Sequence, residues 1–246
     1  MNPIVVIPAR LASTRLPGKP LALIGGAPMI VQVWRRAVAA GIGPVAVACG
    51  DREIAAVIAE AGGHAVLTRA DHPSGSDRVH EALAALDPER RHDVVVNLQG
   101  DLPLIAPEAI RAALDPLADA AVDIATLAAP IRDPDELAAA SVVKIAAGFA
   151  PGARVARALY FSRLAVPWGE GAHYHHIGIY AFRRAALERF VALPPCTIEQ
   201  RERLEQLRAL EAGMRIAVAL VDSVPLGVDT PEDLARARAL FAAAPP

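Results

Sequence analysis

The chain has 246 residues and a formal net charge of −2, with 54% hydrophobic and 4% aromatic residues. This length allows one large α/β domain with a substantial core, and no apolar run approaches the roughly 20 residues of a membrane-spanning helix. The near-neutral charge and the few aromatic residues exclude basic stripes and base-stacking platforms, so we expect neither nucleic-acid binding nor membrane association.

The first half of the chain alternates short apolar runs with segments of helical periodicity. Strands are predicted over Ile4–Ile7, Pro44–Cys49, His64–Leu67 and Asp93–Leu98. Helices are predicted over Pro28–Ala40, over Asp51–Ala61 and from Ser74–Ser76 onward, with Gly41 and the Gly62-Gly63 pair ending the first two. Strands and helices that alternate in this way predict βαβ units and a mostly parallel, Rossmann-like sheet flanked by helices.

After about Asp123 the pattern changes to strands with few helices between them. These strands are predicted over Ile124–Pro130, Ser141–Ala146, Ala153–Phe161 and His175–Phe182, and they indicate a mixed-sheet extension. Helices over Arg184–Leu193 and Thr197–Gly213, a strand over Ile216–Val221 and a last helix from Thr230 to about Ala243 follow. We therefore expect a single domain, 1–246, with parts at about 1–122, 123–221 and 222–246.

The loop after the first strand has the composition of a polyphosphate-binding loop. Lys19 is one of only two lysines among 25 basic residues, and a compact ammonium suits a phosphate oxygen. The loop combines three cations with two hydroxyls and a glycine: Arg10, Arg15, Lys19, Ser13, Thr14 and Gly18. No GxGxxG follows a strand, and Pro20 after Gly18-Lys19 does not fit a Walker loop, so neither a dinucleotide site nor a P-loop is predicted.

Two aspartates in loops are candidates for holding Mg²⁺. Asp101 follows the strand Asp93–Leu98, at the carboxyl edge of the predicted parallel sheet, where ligands bind in open α/β folds. Asp229 precedes a helix start that Thr230 and Asp233 already cap, so it is free for another role. Magnesium takes one or two carboxylates together with phosphate oxygens, and the two aspartates therefore predict a magnesium site.

Seven strings, spread over nearly the whole chain, resemble those of the 3-deoxy-manno-octulosonate (KDO) cytidylyltransferases, the CMP-KDO synthetases of lipopolysaccharide synthesis. They are IPARLASTRLPGKPL (7–21), TRADHPSGSDR (68–78), VNLQGD (96–101), LYFSR (159–163), HIGIY (176–180), LEQLRALEAG (204–213) and GVDTPEDL (227–234). The resemblance implies a nucleotide-diphospho-sugar transferase fold and the reaction CTP + KDO → CMP-KDO + pyrophosphate.

The same resemblance implies roles for individual residues. Those expected at the triphosphate are Arg10, Ser13, Arg15 and Lys19, with Ser74, Gly75 and Arg78 near the cytidine and Gln99 touching the nucleotide or the sugar. Those expected at the sugar acid are Arg163 and His176 on its carboxylate and hydroxyls, and Glu205 and Gln206 on its hydroxyl tail. Asp101 and Asp229 would ligate magnesium, and Lys19, Arg10 and the two aspartates form the expected catalytic set.

The resemblance further implies that residues 1–122 bind the nucleotide, that 123–221 bind the sugar and form a homodimer, and that 222–246 supply a metal-binding loop and the last helix. Cys49 and Cys196, without metal-type spacing, and the absence of a signal-peptide pattern favour the cytoplasm. The chain departs from the usual motifs at three places: Leu102 replaces a glutamate, SGSDR replaces SGTER, and Cys49-Gly50 replaces a Thr-Asp pair.

Three points stay open at this stage. The sugar is KDO or another acidic sugar, such as an acylneuraminate or an 8-amino KDO analogue. A non-catalytic nucleotide-binding module is the alternative of another class, and the retention of Lys19, Asp101 and Asp229 argues against it. The role of Lys144, the second lysine, is open as well, since a salt bridge at a strand end would explain it as readily as a function, and His72 has no assigned role.

Overall fold

The structure is a computed structural model that describes residues 1–13 and 15–243, so that Thr14, one of the hydroxyl residues predicted to lie at phosphate, falls outside the described residues. The chain divides into two compact units, Met1–Ile110 with the chain from Pro225 onward, and Arg111–Val224. No helix in the described ranges combines the length and apolarity needed to cross a bilayer.

The strands and helices are as follows. The strands are β1 (Pro3–Ala9), β2 (Leu23–Ile24), β3 (Ala27–Pro28), β4 (Val45–Cys49), β5 (His64–Leu67), β6 (Val94–Asn97), β7 (Ile124–Pro130), β8 (Lys144–Ala147), β9 (Val155–Ser162), β10 (Tyr174–Arg183) and β11 (Ile216–Leu220). The helices are α1 (Met29–Ala40), α2 (Arg52–Glu60), α3 (Gly75–Leu86), α4 (Pro107–Ala112), α5 (Pro134–Ala138), α6 (Arg184–Ala192), α7 (Thr197–Glu202), α8 (Gln206–Glu211) and α9 (Pro231–Ala243), with 3₁₀ turns at Lys19–Leu21 and Asp115–Ala118.

In the first unit, β5, β4, β1 and β6 form a parallel sheet in that order. The Val- and Ile-rich strands β1 and β6 are almost fully buried, which explains why they carry unbroken apolar runs. The chain moves from β1 outward to β4 and β5 and then returns to the other side of β1 for β6. The loops after β1 and β6 therefore flank the point where the strand order reverses, the usual ligand position in open α/β sheets.

A small apolar cluster fixes the loop that carries Asp229 in the same unit. Val228 and Leu234, on either side of this loop, pack with Ile24 and Met29. The backbone N–H of Val228 donates to the carbonyl of Asp101 at 3.0 Å. The two predicted metal ligands are thus placed beside each other by main-chain structure, although 128 positions separate them in the sequence.

The second unit contains the predicted mixed sheet. Strand β7 pairs antiparallel with β10 and parallel with β11, while β9 pairs antiparallel with both β11 and β8. The strands of this unit follow the order β10, β7, β11, β9, β8. Strand β8 also pairs with β10 through Lys144 and His175, so the two ends of this order meet. The register of β10 against β7 shifts between Ile177 and Tyr180, so β10 carries a β-bulge around Gly178.

The prediction of one continuous helix over Thr197–Gly213 is wrong. Helix α7 ends at Glu202, the next residue, Arg203, has a left-handed φ of 56°, and α8 begins at Gln206. The break lets the Arg163 guanidinium donate to the carbonyl of Glu202 at 2.8 Å, and it buries Leu204. Helical periodicity continues through the break, because Leu204 and Leu207 both face the core.

Lys144, whose role the sequence left open, has carbonyl oxygens as its partners and not the strand-end salt bridge considered for it. Lys144 is fully buried, and its ammonium donates to the carbonyls of Ala139, Val142 and Arg163 at 2.7, 2.9 and 2.9 Å. Burial, with a smaller effect from the Arg163 charge, lowers the pKa of this group. Three carbonyl oxygens replace its hydration shell, and the side chain joins the segment before β8 to the end of β9.

We expect Lys144→Met to lower the free energy of unfolding by about 3 kcal/mol, because it leaves three carbonyls in a buried region without their donor. Urea unfolding followed by circular dichroism measures this change. Arg157→Met, on the exposed side of the neighbouring strand β9, is the matched control and should change stability by about 0.5 kcal/mol or less. An equally small change for Lys144→Met would contradict a structural role for the ammonium.

Candidate active site

A cavity of about 390 Å³ opens at the carboxyl edge of the parallel sheet in the first unit. All ten residues predicted at the nucleotide and the metal line it: Arg10, Ser13, Arg15, Lys19, Ser74, Gly75, Arg78, Gln99, Asp101 and Asp229. They come from the loops after β1 and β6, from the start of α3 and from the loop before α9. The cavity volume lies within the range of small-molecule sites in proteins.

Lys19 lies between the two predicted metal ligands. Its ammonium donates to Asp101 Oδ2 at 3.0 Å and to Asp229 Oδ1 at 2.9 Å, and 15% of the side chain is exposed. Burial alone lowers the pKa of Lys19, but the charges and hydrogen bonds of Asp101 and Asp229 outweigh it, so the pKa lies above its ordinary value. The ammonium therefore stays charged at neutral pH.

A turn in the loop after β1 directs Lys19 into the cavity. Gly18 adopts a left-handed conformation with φ 68°, which a side chain at this position would strain, and the 3₁₀ turn that follows begins at Lys19. Arg15 reaches the outer side of the same carboxylate pair, with Nη2 3.0 Å from Asp229 Oδ2. Two cations thus hold Asp229, whereas Asp101 contacts Lys19 alone among the described ion pairs.

The donor set at Asp101 and Asp229 fits magnesium bound together with phosphate. Across residues 1–13 and 15–243, no group of three or more His, Cys, Asp or Glu side chains is placed to hold a metal. Mg²⁺ is usually held by one or two carboxylates and keeps water and phosphate oxygens as its other ligands. Asp101 and Asp229 are therefore the residues that would hold the ion, and they would do so with the nucleotide.

The start of α3 forms the opposite wall of the cavity. Ser74 caps this helix, since its hydroxyl accepts from the N–H of Asp77 at 3.3 Å. Gly75 permits close packing, because a Cβ at this position would lie 3.3 Å from Pro8 Cγ. This wall therefore brings helical N–H groups to the cavity at a position suited to an anion or a polar ligand atom.

Arg78 has a structural role that its motif does not indicate. Only 3% of the residue is exposed, and its guanidinium donates to Thr68 Oγ1 at 2.5 Å and to the carbonyls of Arg69 and Ala70 at 2.9 and 3.3 Å. Burial and then the Arg10 charge lower its pKa. Arg78 lines the cavity while it holds the loop after β5 in place.

His72 also lines the cavity, although no role was predicted for it. Its Nε2 forms a very short contact with Glu81 Oε2, and Glu81 Oε1 accepts from the N–H of Arg69 at 3.0 Å. Burial raises the pKa of Glu81, but its hydrogen bonds to Arg69 and His72 outweigh this effect and lower it. His72 lies in the loop before α3 and Glu81 lies in α3, nine positions later, and this closeness in the sequence was the one sign of the pair.

Two residues that depart from the usual motifs, Leu102 and Cys49, are buried in the core. Leu102, in place of a glutamate, is 8% exposed and belongs to the apolar core. Burial raises the pKa of the Cys49 thiol to about 11, so this cysteine stays protonated at neutral pH. Neither residue lines the cavity as described.

The four residues predicted at the sugar acid, apart from Gln99, lie in the second unit. Glu205 and Gln206 lie with Tyr180, Phe182 and Phe190 around a recess too narrow to admit water. His176 contacts this group through Tyr180, with ring centroids 5.5 Å apart. Tyr180, the last residue of the HIGIY string that begins with His176, was not predicted as a site residue.

Arg163 is engaged differently from the other three. Its guanidinium donates to the carbonyls of Glu202 at 2.8 Å and Ala140 at 3.0 Å, and its N–H donates to Glu202 Oε2 at 3.0 Å. Two of these contacts join α7 to the end of β9, and the third reaches the segment between α5 and β8. A role at the sugar carboxylate stays a prediction.

Known proteins share both the sequence and the fold. The cytidylyltransferase family matches residues 4–216. The 3-deoxy-manno-octulosonate cytidylyltransferases of Methylobacterium radiotolerans and Paramagnetospirillum magneticum are 66% and 61% identical, over 98% and 99% of this chain and 97% and 99% of theirs. A CMP:2-keto-3-deoxy-manno-octonic acid synthetase solved in complex with CTP is 40% identical, with a TM-score of 0.90 and 99% coverage of both chains.

A more distant neighbour shows the fold alone. It is a nucleotidyl transferase from Methanothermobacter, which is 16% identical with a TM-score of 0.60 over 98% of both chains. The predicted nucleotidyltransferase fold is therefore confirmed. The extent of the family match and the identity to full-length relatives show that this chain belongs to the 3-deoxy-manno-octulosonate cytidylyltransferase family.

Proposed function

We propose that this protein transfers CMP from CTP to KDO and releases pyrophosphate, a step that serves lipopolysaccharide synthesis. The observation that carries the proposal is the single cavity in which Lys19 joins Asp101 to Asp229, in a chain whose full-length relatives are named for this reaction. A polyphosphate needs cations and a metal needs hard anions, and this cavity wall supplies both.

In the proposed reaction the anomeric hydroxyl oxygen of KDO attacks the α-phosphorus of CTP. A new O–P bond forms, the bond from the α-phosphorus to the bridging oxygen of the β-phosphate breaks, and the hydroxyl proton passes to solvent. Such transfers depend on positioning and charge stabilisation rather than on covalent chemistry of the protein. The proposal therefore includes no side-chain general base.

Lys19, Arg15 and Arg10 would bind the triphosphate and stabilise the charge that develops on the departing pyrophosphate. Asp101 and Asp229 would hold magnesium, which, when bound, withdraws charge from phosphate oxygens and acidifies a hydroxyl. Ser74, Gly75, Arg78 and Gln99 would position the cytidine. Glu205, Gln206, His176 and Arg163 are proposed at the sugar acid.

We also propose a cytoplasmic homodimer. Both cysteines, Cys49 and Cys196, are free thiols, as a reducing compartment requires. Leu164 and Trp168 of the second unit are 75% and 99% exposed, which supports a contact with another chain. Light scattering at micromolar concentration should give twice the 25.8 kDa chain mass, and a single-chain mass would contradict the dimer.

The substrate assignment is tested by pyrophosphate release from CTP, UTP, ATP or GTP, each with KDO, N-acetylneuraminate or no sugar. We expect release with CTP and KDO only. Release with another acidic sugar would retain the mechanism and change the substrate. Binding of CTP without release under any combination would favour the non-catalytic module.

Magnesium dependence is a separate prediction. Chelation by EDTA should lower turnover by about a hundredfold or more, and excess Mg²⁺ should restore it, because without the ion the two carboxylates repel the phosphate groups. The measurement is the initial rate against free Mg²⁺ concentration. A rate that EDTA leaves unchanged would contradict the assignment of Asp101 and Asp229.

A further inference from the structure

A buried threonine hydroxyl in the second unit contacts three polar atoms at once. Thr126 lies in β7 and is fully buried, and its Oγ1 is 3.0 Å from His176 Nε2, 3.1 Å from the carbonyl oxygen of Ile177 and 2.8 Å from that of Ile179. Both carbonyls belong to the bulge of β10, which turns them toward the same hydroxyl. No motif or resemblance assigned a role to Thr126.

Counting protons determines the direction of these hydrogen bonds. A hydroxyl has one proton and two lone pairs, whereas a carbonyl oxygen can only accept. Donation to Nε2 would leave both carbonyls facing lone pairs of the hydroxyl, whereas donation to the closer carbonyl, that of Ile179, leaves only the Ile177 carbonyl so opposed, and we assign the Thr126 proton to Ile179 on this ground. A lone pair of the hydroxyl then faces His176, so Nε2 has to carry a proton that it donates to Oγ1.

His176 is uncharged in this environment. Burial, with a smaller contribution from the His175 charge, lowers the pKa of His176 to about 3. A neutral imidazole carries one proton, and Thr126 fixes it on Nε2. The other ring nitrogen, Nδ1, consequently presents a lone pair, and the Nε2 contact is the ring's one hydrogen bond to residues 1–13 and 15–243.

A second polar group without a partner lies in the cluster of side chains beside the ring. His176 packs against Phe161 and Tyr180, with ring centroids 4.9 and 5.5 Å away, and Tyr180 shares with Glu205 and Gln206 a recess too narrow to admit water. Gln206 is 5% exposed, and its Nε2 has no hydrogen-bond partner among the described residues. A buried amide donor without an acceptor costs free energy that a ligand oxygen would recover.

We propose that Thr126 is a positioning residue that holds His176 in the Nε2–H tautomer, so that Nδ1 accepts a hydrogen bond from a hydroxyl of the sugar acid. This rests on the proposed function. The family resemblance implied that Arg163 and His176 together bind the carboxylate and the hydroxyls of the sugar acid, and the proposal assigns a hydroxyl to His176. A carboxylate offers only acceptors and would oppose the Nδ1 lone pair, so His176 binds a hydroxyl and the carboxylate must be bound elsewhere.

The tautomer is measured directly by long-range ¹H–¹⁵N NMR on the full chain at neutral pH, with the His176 signals assigned by their loss in His176→Gln. We expect a protonated Nε2 and an unprotonated Nδ1 in the wild type. Thr126→Val removes the hydroxyl with little change of shape and should shift the tautomer signals, while Thr126→Ser should keep them. A protonated Nδ1 in the wild type would overturn the assignment.

Steady-state kinetics test the contact with the sugar. Thr126→Val should raise KM for KDO about tenfold, as the loss of one oriented hydrogen bond predicts, and leave KM for CTP unchanged. Thr126→Ser should restore the wild-type KM for KDO. A KM for KDO within about twofold of wild type in a folded Thr126→Val protein would overturn the proposal.

The two measurements separate this inference from the proposed function. An Nε2–H tautomer in a protein that turns over no sugar acid would contradict the function and leave the hydrogen-bond assignment in place. If Thr126→Val does not fold, the wild-type NMR spectrum and the kinetics of Thr126→Ser still test the proposed tautomer and its effect on KM for KDO. Altered tautomer signals or a raised KM for KDO in Thr126→Ser would then overturn the proposal, because this variant keeps the hydroxyl.

Discussion

Asp101→Asn is expected to lower kcat with CTP and KDO by about a thousandfold or more, because it removes one of the two anionic ligands proposed for magnesium. The amide oxygen of asparagine can still accept the Lys19 hydrogen bond, which spans 3.0 Å in the wild type. Asp229 retains its own contact with Lys19 at 2.9 Å. The variant should therefore fold and lose activity specifically.

Asp71→Asn is the matched control for this experiment. Asp71 lies on the loop before α3, its side chain is 81% exposed, and it pairs with Arg69 rather than lining the cavity. It should retain wild-type kcat within about twofold. Activity of Asp101→Asn above about a tenth of wild type would contradict the metal assignment, since a lost ligand charge costs more than that.

Lys19→Met should have the second largest effect. It removes the cation that lies nearest both carboxylates, and we expect kcat/KM for CTP to fall about a hundredfold or more while KM for KDO changes little. Arg15 remains on Asp229 at 3.0 Å, so part of the charge balance persists. The measurement is a CTP titration at saturating KDO and magnesium.

The same variant has a second expected outcome that a general loss of structure would not produce. Without the ammonium, Asp101 and Asp229 face each other with less positive charge between them, and their joint affinity for Mg²⁺ should rise. Calorimetric titration with magnesium measures this directly. Arg69→Met, which removes an exposed cation outside the cavity, should alter neither property. An unchanged CTP dependence of Lys19→Met would contradict its role at the triphosphate.

Elements that depend on local pattern were predictable from the sequence. Strands β5 and β7 have the bounds that their apolar runs indicate, and α1 ends before Gly41, which adopts a left-handed φ of 65°. The predicted capping box before α9 is present, with Thr230 N–H donating to Asp233 at 3.0 Å and Asp233 N–H to Thr230 at 3.2 Å. Each of these features is determined by a few neighbouring residues.

Features that depend on distant partners were not predictable. The break at Arg203 coincides with carbonyl contacts to Arg163, 40 positions away, and the periodicity of the helix gives no sign of it. The three carbonyls around Lys144 likewise come from two separate segments. Helix propensity summed over neighbouring residues cannot predict such features, because tertiary contacts and not the local pattern select the conformation.

The candidate site has one feature that the sequence predicts and one that depends on distant contacts. The loops after β1 and β6 meet at one edge because parallel strands end on the same side, so the grouping of Arg10, Lys19 and Asp101 follows from topology. The position of Lys19 between Asp101 and Asp229 does not, since it depends on the packing of α9 and on the hydrogen bond from Val228 to Asp101. The sequence gives the charges, and the fold supplies their geometry.

The most direct test of the central claim is ³¹P NMR of wild-type protein with CTP, KDO and Mg²⁺, with Asp101→Asn in parallel. We expect one new phosphodiester resonance from CMP joined to the sugar acid, which grows in equal amount with pyrophosphate and is absent with the variant. Pyrophosphate accompanied by free CMP, or a phosphodiester signal of equal size with Asp101→Asn, would contradict the account.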